Sequence, residues 1–387
     1  MSGCLQAVTF FYLLPMEKIV VIGAGPAGLA CAAILAKNNI PFELLEQANT
    51  ICPAWHNHYD RLALHTVKSL SALPYLPFPD AYPTYVPKAQ LLTYFDDYIK
   101  YFDIKPNLNT TVQHIEEKEN GWTISTSNGE AIEGSQIIIT TGFNRVPYSP
   151  EISGLESFTG SSFHSKDYKN PKQLEGDRIL VVGMGNSGAE IALDLALNGK
   201  TTYLSVRGPV NIVPRDFLGN PTQLTAKKLA SLPPFIGDRL GRLVQYLSIG
   251  NLNKYGIKRP NIFPAKQLRT LGKTPVIDLG TVAEIKKGNI SIRPGIKAIN
   301  GSSVQFTNNQ STHFDHIIFA TGYQSAVEQF APFVQPLLNE HGHPGQFRHL
   351  TKRGNIAYFV GFNAYASGLL ESMHTQALEL EQMLSQK

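Results

Sequence analysis

Two glycine turns of one pattern stand far apart in this chain, and they differ at the residue that would read a ribose. The first is Gly23-Ala24-Gly25-Pro26-Ala27-Gly28, fed by the apolar run Lys18–Ile22; Glu46, with Gln47 beside it, follows eighteen residues after the last glycine. The second is Gly183-Met184-Gly185-Asn186-Ser187-Gly188, fed by Arg178–Val182, and the matching place downstream holds Ser205 and Arg207 with no acid. Backbone N–H groups at a helix start, helped by the helix dipole, hold a pyrophosphate, and glycine lets the chain approach it closely. An acid at the end of the next strand accepts hydrogen bonds from ribose hydroxyls, whereas an arginine there receives a 2′-phosphate. The first turn therefore reads as a site for FAD or NAD and the second as one for NADPH. In the second turn, Asn186 and Ser187 can cap the helix or bond the pyrophosphate, since both tasks use the same place.

Such turns work only between a strand and a helix, and the flanking sequence supplies both. Lys18–Ile22, an alanine-rich helix over Pro26–Asn38 and the strand Phe42–Glu46 form a βαβ opening. Residues 50–90 are irregular and rich in proline, aromatics and histidine, which marks a functional loop rather than disorder. Ala89–Phe102 has helical periodicity; Gly121–Thr126 with the turn Asn128-Gly129 reads as a meander, and Gln136–Gly142 as a closing strand. The second unit opens at Asp177. Its interior, 211–265, shows helical patches at Thr225–Leu232 and Asp238–Leu247 but no clear placement. Two strands end alike, Ile138-Ile139-Thr140-Thr141-Gly142 and Ile318-Phe319-Ala320-Thr321-Gly322, which suggests that the chain leaves the first domain by one and returns by the other. The expected fold is α/β, with two Rossmann-like dinucleotide-binding domains and the NADPH domain inserted into the FAD domain. The boundaries are an N-terminal extension over 1–15, FAD domain over 16–165, NADPH domain over 166–285, and FAD domain again over 286–387.

At 387 residues the chain can build two or three cores, and its net charge of +4 is small. The lysines and arginines read as scattered, which suits nucleotide binding and does not point to nucleic acid. Cys4, Cys31 and Cys52 form no metal-ligand or redox spacing, so a reduced cytoplasmic setting and no metal are expected. Leu5–Leu14 is too short to span a bilayer and lacks the basic flank and cleavage site of a signal peptide. The C-terminal end is polar and amphipathic, so no integral membrane segment is expected, and the oligomeric state is monomer or homodimer.

Between the glycine turns lies Phe158-Thr159-Gly160-Ser161-Ser162-Phe163-His164-Ser165-Lys166-Asp167-Tyr168. This run fits FxGxxxHxxxY at every defined position and, with Phe319-Ala320-Thr321-Gly322-Tyr323, resembles the flavin-containing monooxygenases. Tyr59-Asp60-Arg61-Leu62, Tyr82-Pro83-Thr84-Tyr85, Asp103-Ile104-Lys105-Pro106 and Lys273–Thr281 are similar to segments of the plant YUCCA branch. The resemblance runs from about residue 17 to the C-terminus. It implies FAD at the first turn, reduced by NADPH at the second, and reaction with O₂ to a C4a-(hydro)peroxyflavin. One oxygen atom then passes to a small organic substrate, either a soft nitrogen or sulfur nucleophile or a 2-oxo acid such as indole-3-pyruvate. The flavin carries the chemistry, so no nucleophilic triad is required.

The resemblance also implies site residues. His65 stands where many members place an asparagine that hydrogen-bonds the flavin adduct and NADP⁺, and an imidazole can both donate and accept. Trp55 resembles a tryptophan that packs near FAD. Thr141, Gly142, Thr321 and Gly322 belong to the two similar strand ends. His164 and Tyr168 fit a bracing role in the linker better than a catalytic one. Arg215 stands downstream of Arg207 as a possible assistant. Plant enzymes have a basic pair after the final Val-Gly-Phe, whereas this chain reads Val360-Gly361-Phe362-Asn363-Ala364-Tyr365, a departure that bears on the indole-pyruvate reading. A flavin disulfide reductase needs a cysteine pair that is absent here. An NAD(P)H-dependent reductase of the ferredoxin or quinone type is set aside on FxGxxxHxxxY alone. A non-catalytic FAD redox sensor has little use for a 2′-phosphate reader.

Overall fold

The structure, a computed structural model, describes residues 18–230, 233–363 and 368–385; the expected extension 1–15 lies outside them. Strand β1 (Ile19–Ile22) is buried at all four residues and leads through the first glycine turn into α1 (Pro26–Lys37). Pro26 opens that helix, where a missing N–H costs nothing. β2 (Phe42–Leu45) follows. Next come the irregular segment, α2 (Lys88–Tyr101) and an antiparallel ribbon over residues 112–134. The chain continues through β3 (Gln136–Ile139), β4 (Ser161–His164) and β5 (Arg178–Val182). α3 (Asn186–Leu197) and β6 (Thr201–Ser205) complete the second βαβ opening. After α4 (Pro234–Ile249) and α5 (Pro264–Leu271) come β7 (Ile290–Arg293), β8 (His316–Phe319), β9 (Arg348–Leu350), β10 (Ile356–Phe359) and α6 (Leu369–Ser385).

Two five-stranded sheets result, ordered β2-β1-β3-β10-β9 and β7-β6-β5-β8-β4. Every pairing within them is parallel except β9 against β10. Fully buried central strands such as Ile19–Ile22 and Gln136–Ile139 suit sheets covered on both faces.

The similar strand ends have a different meaning from the one expected. β3 pairs with β1 in the first sheet, and β8 pairs with β5 in the second, so Thr140 and Ala320 occupy matching places in two copies of one design. The chain therefore does not return to the first sheet at Ile318; it returns at Arg348, where β9 pairs with β10, the strand that joins β3. The boundary at 286 is corrected, because β7 and β8 belong to the second sheet, and so is the boundary at 165, because β4 pairs with β8. Where the units meet, Val146-Pro147 leaving one sheet runs antiparallel to Tyr323-Gln324 leaving the other.

The described residues of 211–265 have a definite placement. Ile212–Pro214 pairs with Val276–Asp278, and helix Thr222–Ala230 covers most of the expected Thr225–Leu232, whose last two residues lie outside the described ones. α4 is longer than Asp238–Leu247 because Pro234 can open it. Residues 50–87 are irregular apart from single helical turns at Pro53–His56 and Lys68–Leu70, and tyrosines of α2 hold their backbone. Tyr94 Oη accepts from Leu73 N at 2.8 Å and donates to the Leu76 carbonyl at 2.7 Å, and Tyr98 Oη donates to the Pro74 carbonyl at 2.9 Å. A long loop stays ordered when its buried polar groups find such partners.

Candidate active site

Both glycine turns fold alike because each glycine answers a different steric demand. Gly23 and Gly183 hold φ of +105° and +102°, a region strained for any side chain. Gly28 and Gly188 sit where an added Cβ would run into the carbonyl oxygens of Gly23 and Gly183. Gly25 and Gly185 meet nothing within 4 Å, and both open onto one cavity of about 760 Å³ that joins the two turns.

That cavity gathers most of the expected residues. Gly23, Gly25, Pro26 and Ala27 line it from the first turn, and Glu46 and Gln47 from the end of β2. Trp55, Thr141, Gly142 and Gly322 add the middle of the wall, and Gly185, Asn186 and Ser187 close it from the second turn. Asn186 also has a structural task, since its Oδ1 accepts from Ile277 N at 2.8 Å.

The Glu46 carboxylate is only 5% exposed. Its oxygens accept from Ala24 N at 2.8 Å and Ala48 N at 2.9 Å, which fixes its orientation at the cavity wall. Burial pushes its pKa up, against the lowering effect of those backbone donors. Thr141 Oγ1 is shielded and has no partner among the described residues. An unpaired hydroxyl at the wall, together with two glycine turns open to the cavity, fits a polar ligand of the dinucleotide kind.

Other expected residues stand elsewhere. Gly28, Gly183 and Gly188 pack behind the turns; at Gly183 an added Cβ would lie 2.6 Å from the Ala320 carbonyl. The Ser205 hydroxyl donates to the Pro294 carbonyl at 2.9 Å and that of Thr321 to the Tyr148 carbonyl, and neither residue lines the cavity. Arg207 is exposed at the end of β6 beside Gly295, with no hydrogen-bond or ion-pair partner among the described residues. It remains available to a 2′-phosphate outside the cavity. Arg215 is engaged with Asp216 at 3.0 Å and lies over the Tyr85 ring.

His65 is not on the cavity wall. Its Nε2 bonds Glu190 Oε1 on α3, and Tyr59 Oη donates to the same oxygen at 2.6 Å. One turn along α3, Asp194 accepts from Tyr168 Oη at 2.8 Å and faces Arg61 at 3.7 Å. Residues four apart share a helix face, so Glu190 and Asp194 anchor the 59–65 loop to the helix of the second glycine turn. The contact that the structure gives His65 is thus to Glu190 on α3.

The defined residues of the FxGxxxHxxxY run are engaged within the protein, while its Ser165 and Lys166 line the cavity. An added Cβ at Gly160 would meet the Asp315 carbonyl and, at 2.8 Å, the Phe158 ring. His164 Nε2 bonds the Gly322 carbonyl at 3.0 Å while its Nδ1 accepts from Lys166 N at 3.2 Å. Burial pushes the His164 pKa down.

Among the wall residues that sequence reading missed, His58, Arg145, Lys166 and Tyr323 carry groups that can titrate or hydrogen-bond. His58 lies between Trp55 and Tyr59, at ring distances of 5.8 and 5.6 Å. Burial lowers its pKa to about 4; Lys88, Lys169 and His65 add to this and Glu190 opposes it. Arg145 donates to the Ala326 carbonyl at 3.1 Å and lies over the Phe330 ring. Lys166 and Tyr323 carried a signal, since each belongs to or adjoins a motif already noted; His58 and Arg145 did not.

Comparison with known proteins agrees with this geometry. Residues 16–341 match the family described as flavin-binding monooxygenase-like. The chain is 39% identical over 319 residues to the probable indole-3-pyruvate monooxygenase YUCCA8 of Arabidopsis thaliana, covering 80% of this chain and 75% of that protein. It is 36% identical to indole-3-pyruvate monooxygenase YUCCA1 of Oryza sativa subsp. japonica, covering 89% and 86%. The fold is shared with the flavin-containing monooxygenase from Stenotrophomonas maltophilia, at a TM-score of 0.70, 19% identity and coverage of 96% and 99%. It is shared also with OTEMO in complex with FAD and NADP, at 0.73, 18%, and 96% and 84%.

Proposed function

The chain belongs to the flavin-binding monooxygenase-like family, and from that premise we propose that this FAD- and NADPH-dependent monooxygenase acts on an aromatic 2-oxo acid of the indole-3-pyruvate kind. The observation that carries the reading is the single cavity shared by both glycine turns. A nicotinamide held at one turn and a flavin held at the other would then meet in one cleft. FAD, when bound, supplies electron transfer and oxygen activation. The chain's own residues bind, orient and exclude solvent.

The first turn would hold the FAD pyrophosphate at the start of α1, with Glu46 on the ribose. The second would hold that of NADPH at the start of α3, with Arg207 on the 2′-phosphate. Arg145 and Lys166 put two cations on the wall. They offer a substrate carboxylate a partner that the missing basic pair after Phe362 does not, and Trp55 and Tyr323 offer an aromatic group a surface. The relatives named for indole-3-pyruvate support this choice. In the overall reaction the 2-oxo acid, O₂, NADPH and a proton become the shortened acid, CO₂, water and NADP⁺.

Single-turnover reoxidation of the reduced holoenzyme tests the proposal. Indole-3-pyruvate should yield indole-3-acetate in step with NADPH consumed, while trimethylamine and simple sulfides leave hydrogen peroxide as the main product. Oxygenation of the amine or sulfide with indole-3-pyruvate untouched would refute it.

A further inference from the structure

Helix α4 is built inside out. Its solvent side carries Phe235 (62% exposed), Leu243 (53%), Tyr246 (57%) and Leu247 (64%), with Ile236 and Leu240 between them. Its inner side buries polar groups. Gln245 Nε2 donates to the Ile212 carbonyl at 2.8 Å and to Asn211 Oδ1 at 3.2 Å, and Asp238 accepts from Arg269 at 2.8 Å. A surface helix of a globular protein normally does the reverse. Wound at about 100° per residue, the six outward apolar positions fall within an arc of roughly 140°. Leu218, Leu224 and Leu271 are exposed close by in sequence, so nine of the fourteen large hydrophobics exposed among the described residues lie between 217 and 275.

The same stretch is strongly basic, contrary to the even spread expected from the sequence. From Phe217 to Pro275 ten lysines and arginines stand against one acid, Asp238, although the whole chain is only +4. Asp238 is already paired with Arg269. Arg239 lies within the apolar stripe, and at the stripe's far end Tyr246 shares a hollow with Lys258 and Arg259. No residue of α4 or of this basic loop lines the cavity between the glycine turns.

We propose that α4 and the basic loop after it dock the enzyme peripherally on an anionic lipid surface. An apolar stripe along a helix axis suits burial at the acyl boundary, and lysines and arginines around it meet anionic headgroups. A second copy of the chain is a poor occupant, because a two-fold interface would set one basic face against another. A nucleic acid would take up the cations but leave the apolar stripe in water. No helix of the described residues is long and apolar enough to cross a membrane, so the contact is peripheral.

Co-sedimentation of the holoenzyme with phosphatidylcholine vesicles, with and without phosphatidylglycerol, tests this. Binding should need the anionic lipid and weaken with salt. Replacing Lys254 and Lys258 with glutamine should weaken it about 25-fold, at about five-fold per charge near the surface. Leu243→Ser with Leu247→Ser should release the protein while leaving NADPH oxidation unchanged. Equal binding to neutral vesicles, no binding at all, or leucine variants that bind normally would overturn the proposal. So would a lipid-free dimer that those leucine variants disperse, which would assign the face to a second copy.

Discussion

Replacing His58 with phenylalanine should make the protein relatively more stable in acid. The ring fills the gap between Trp55 and Tyr59, and burial, reinforced by Lys88, Lys169 and His65, lowers its pKa from 6.5 to about 4. The unfolded chain takes up this proton as pH falls through 6.5, whereas the folded chain resists until about 4. Stability due to the neutral imidazole is therefore complete above 6.5 and lost progressively between 6.5 and 4. From those two pKa values the loss at about pH 5 is roughly 2 kcal/mol, and at about pH 7.5 it is near zero. Phenylalanine keeps an aromatic body in place and does not titrate. The assay is urea unfolding of holoenzyme and variant at both pH values, followed by flavin and tryptophan fluorescence. Carboxylates common to both proteins cancel in the difference. The variant should gain about 2 kcal/mol on wild type between about pH 7.5 and about pH 5; a difference that does not change with pH would refute the placement of a neutral, buried His58.

Four further outcomes are expected. Glu190→Ala strands the buried Tyr59 hydroxyl and His65 Nε2, costing about 2–4 kcal/mol, while Glu190→Gln, which still accepts, should recover most of it; equal losses in denaturant titrations would deny the contact its role. His65→Ala should keep FAD and NADPH oxidation but release more hydrogen peroxide, because the 59–65 loop loses one of its ties to α3; unchanged coupling of NADPH use to product counts against this. Arg207→Ala should raise the KM for NADPH by about 10-fold or more, at the 1.5–3 kcal/mol of a charged hydrogen bond, and leave that for NADH nearly alone; equal shifts in initial-rate measurements would remove the 2′-phosphate assignment. Gly25→Val should fold, since the backbone there is extended and an added Cβ meets nothing within 4 Å. It should purify without flavin absorbance, and full retention of the yellow colour would exclude the first turn as the flavin site.

Much of the fold was legible because its signals are local. A buried four-residue strand, a glycine turn and an alanine-rich helix declare themselves within about thirty residues, twice. The domain boundary was not legible. Ile138–Gly142 and Ile318–Gly322 look alike because they hold the same place in two sheets, and only strand pairing tells which sheet each one joins. In the site, Glu46 and the open glycines were readable from spacing. The bonds of the Ser205 and Thr321 hydroxyls to the Pro294 and Tyr148 carbonyls were not, because those partners stand far off in the chain. His58 and His65 lie on one irregular loop whose side-chain directions no periodicity dictates. Helix α4 was visible as a helix, but periodicity carries no sign for which side turns inward.

The sequence by itself determined the two dinucleotide turns and their difference at the ribose, Glu46 in one and Arg207 in the other. Those features rest on steric and charge demands satisfied among near neighbours: a positive φ at Gly23 and Gly183, and a Cβ excluded at Gly28 and Gly188. Only the tertiary structure decided that the turns open onto one cavity, that His58 rather than His65 stands at its wall, and that Glu190 ties the intervening loop to the second unit. Each of these depends on groups more than one hundred residues apart, brought together by the packing of two sheets whose order and return strand no local pattern specifies.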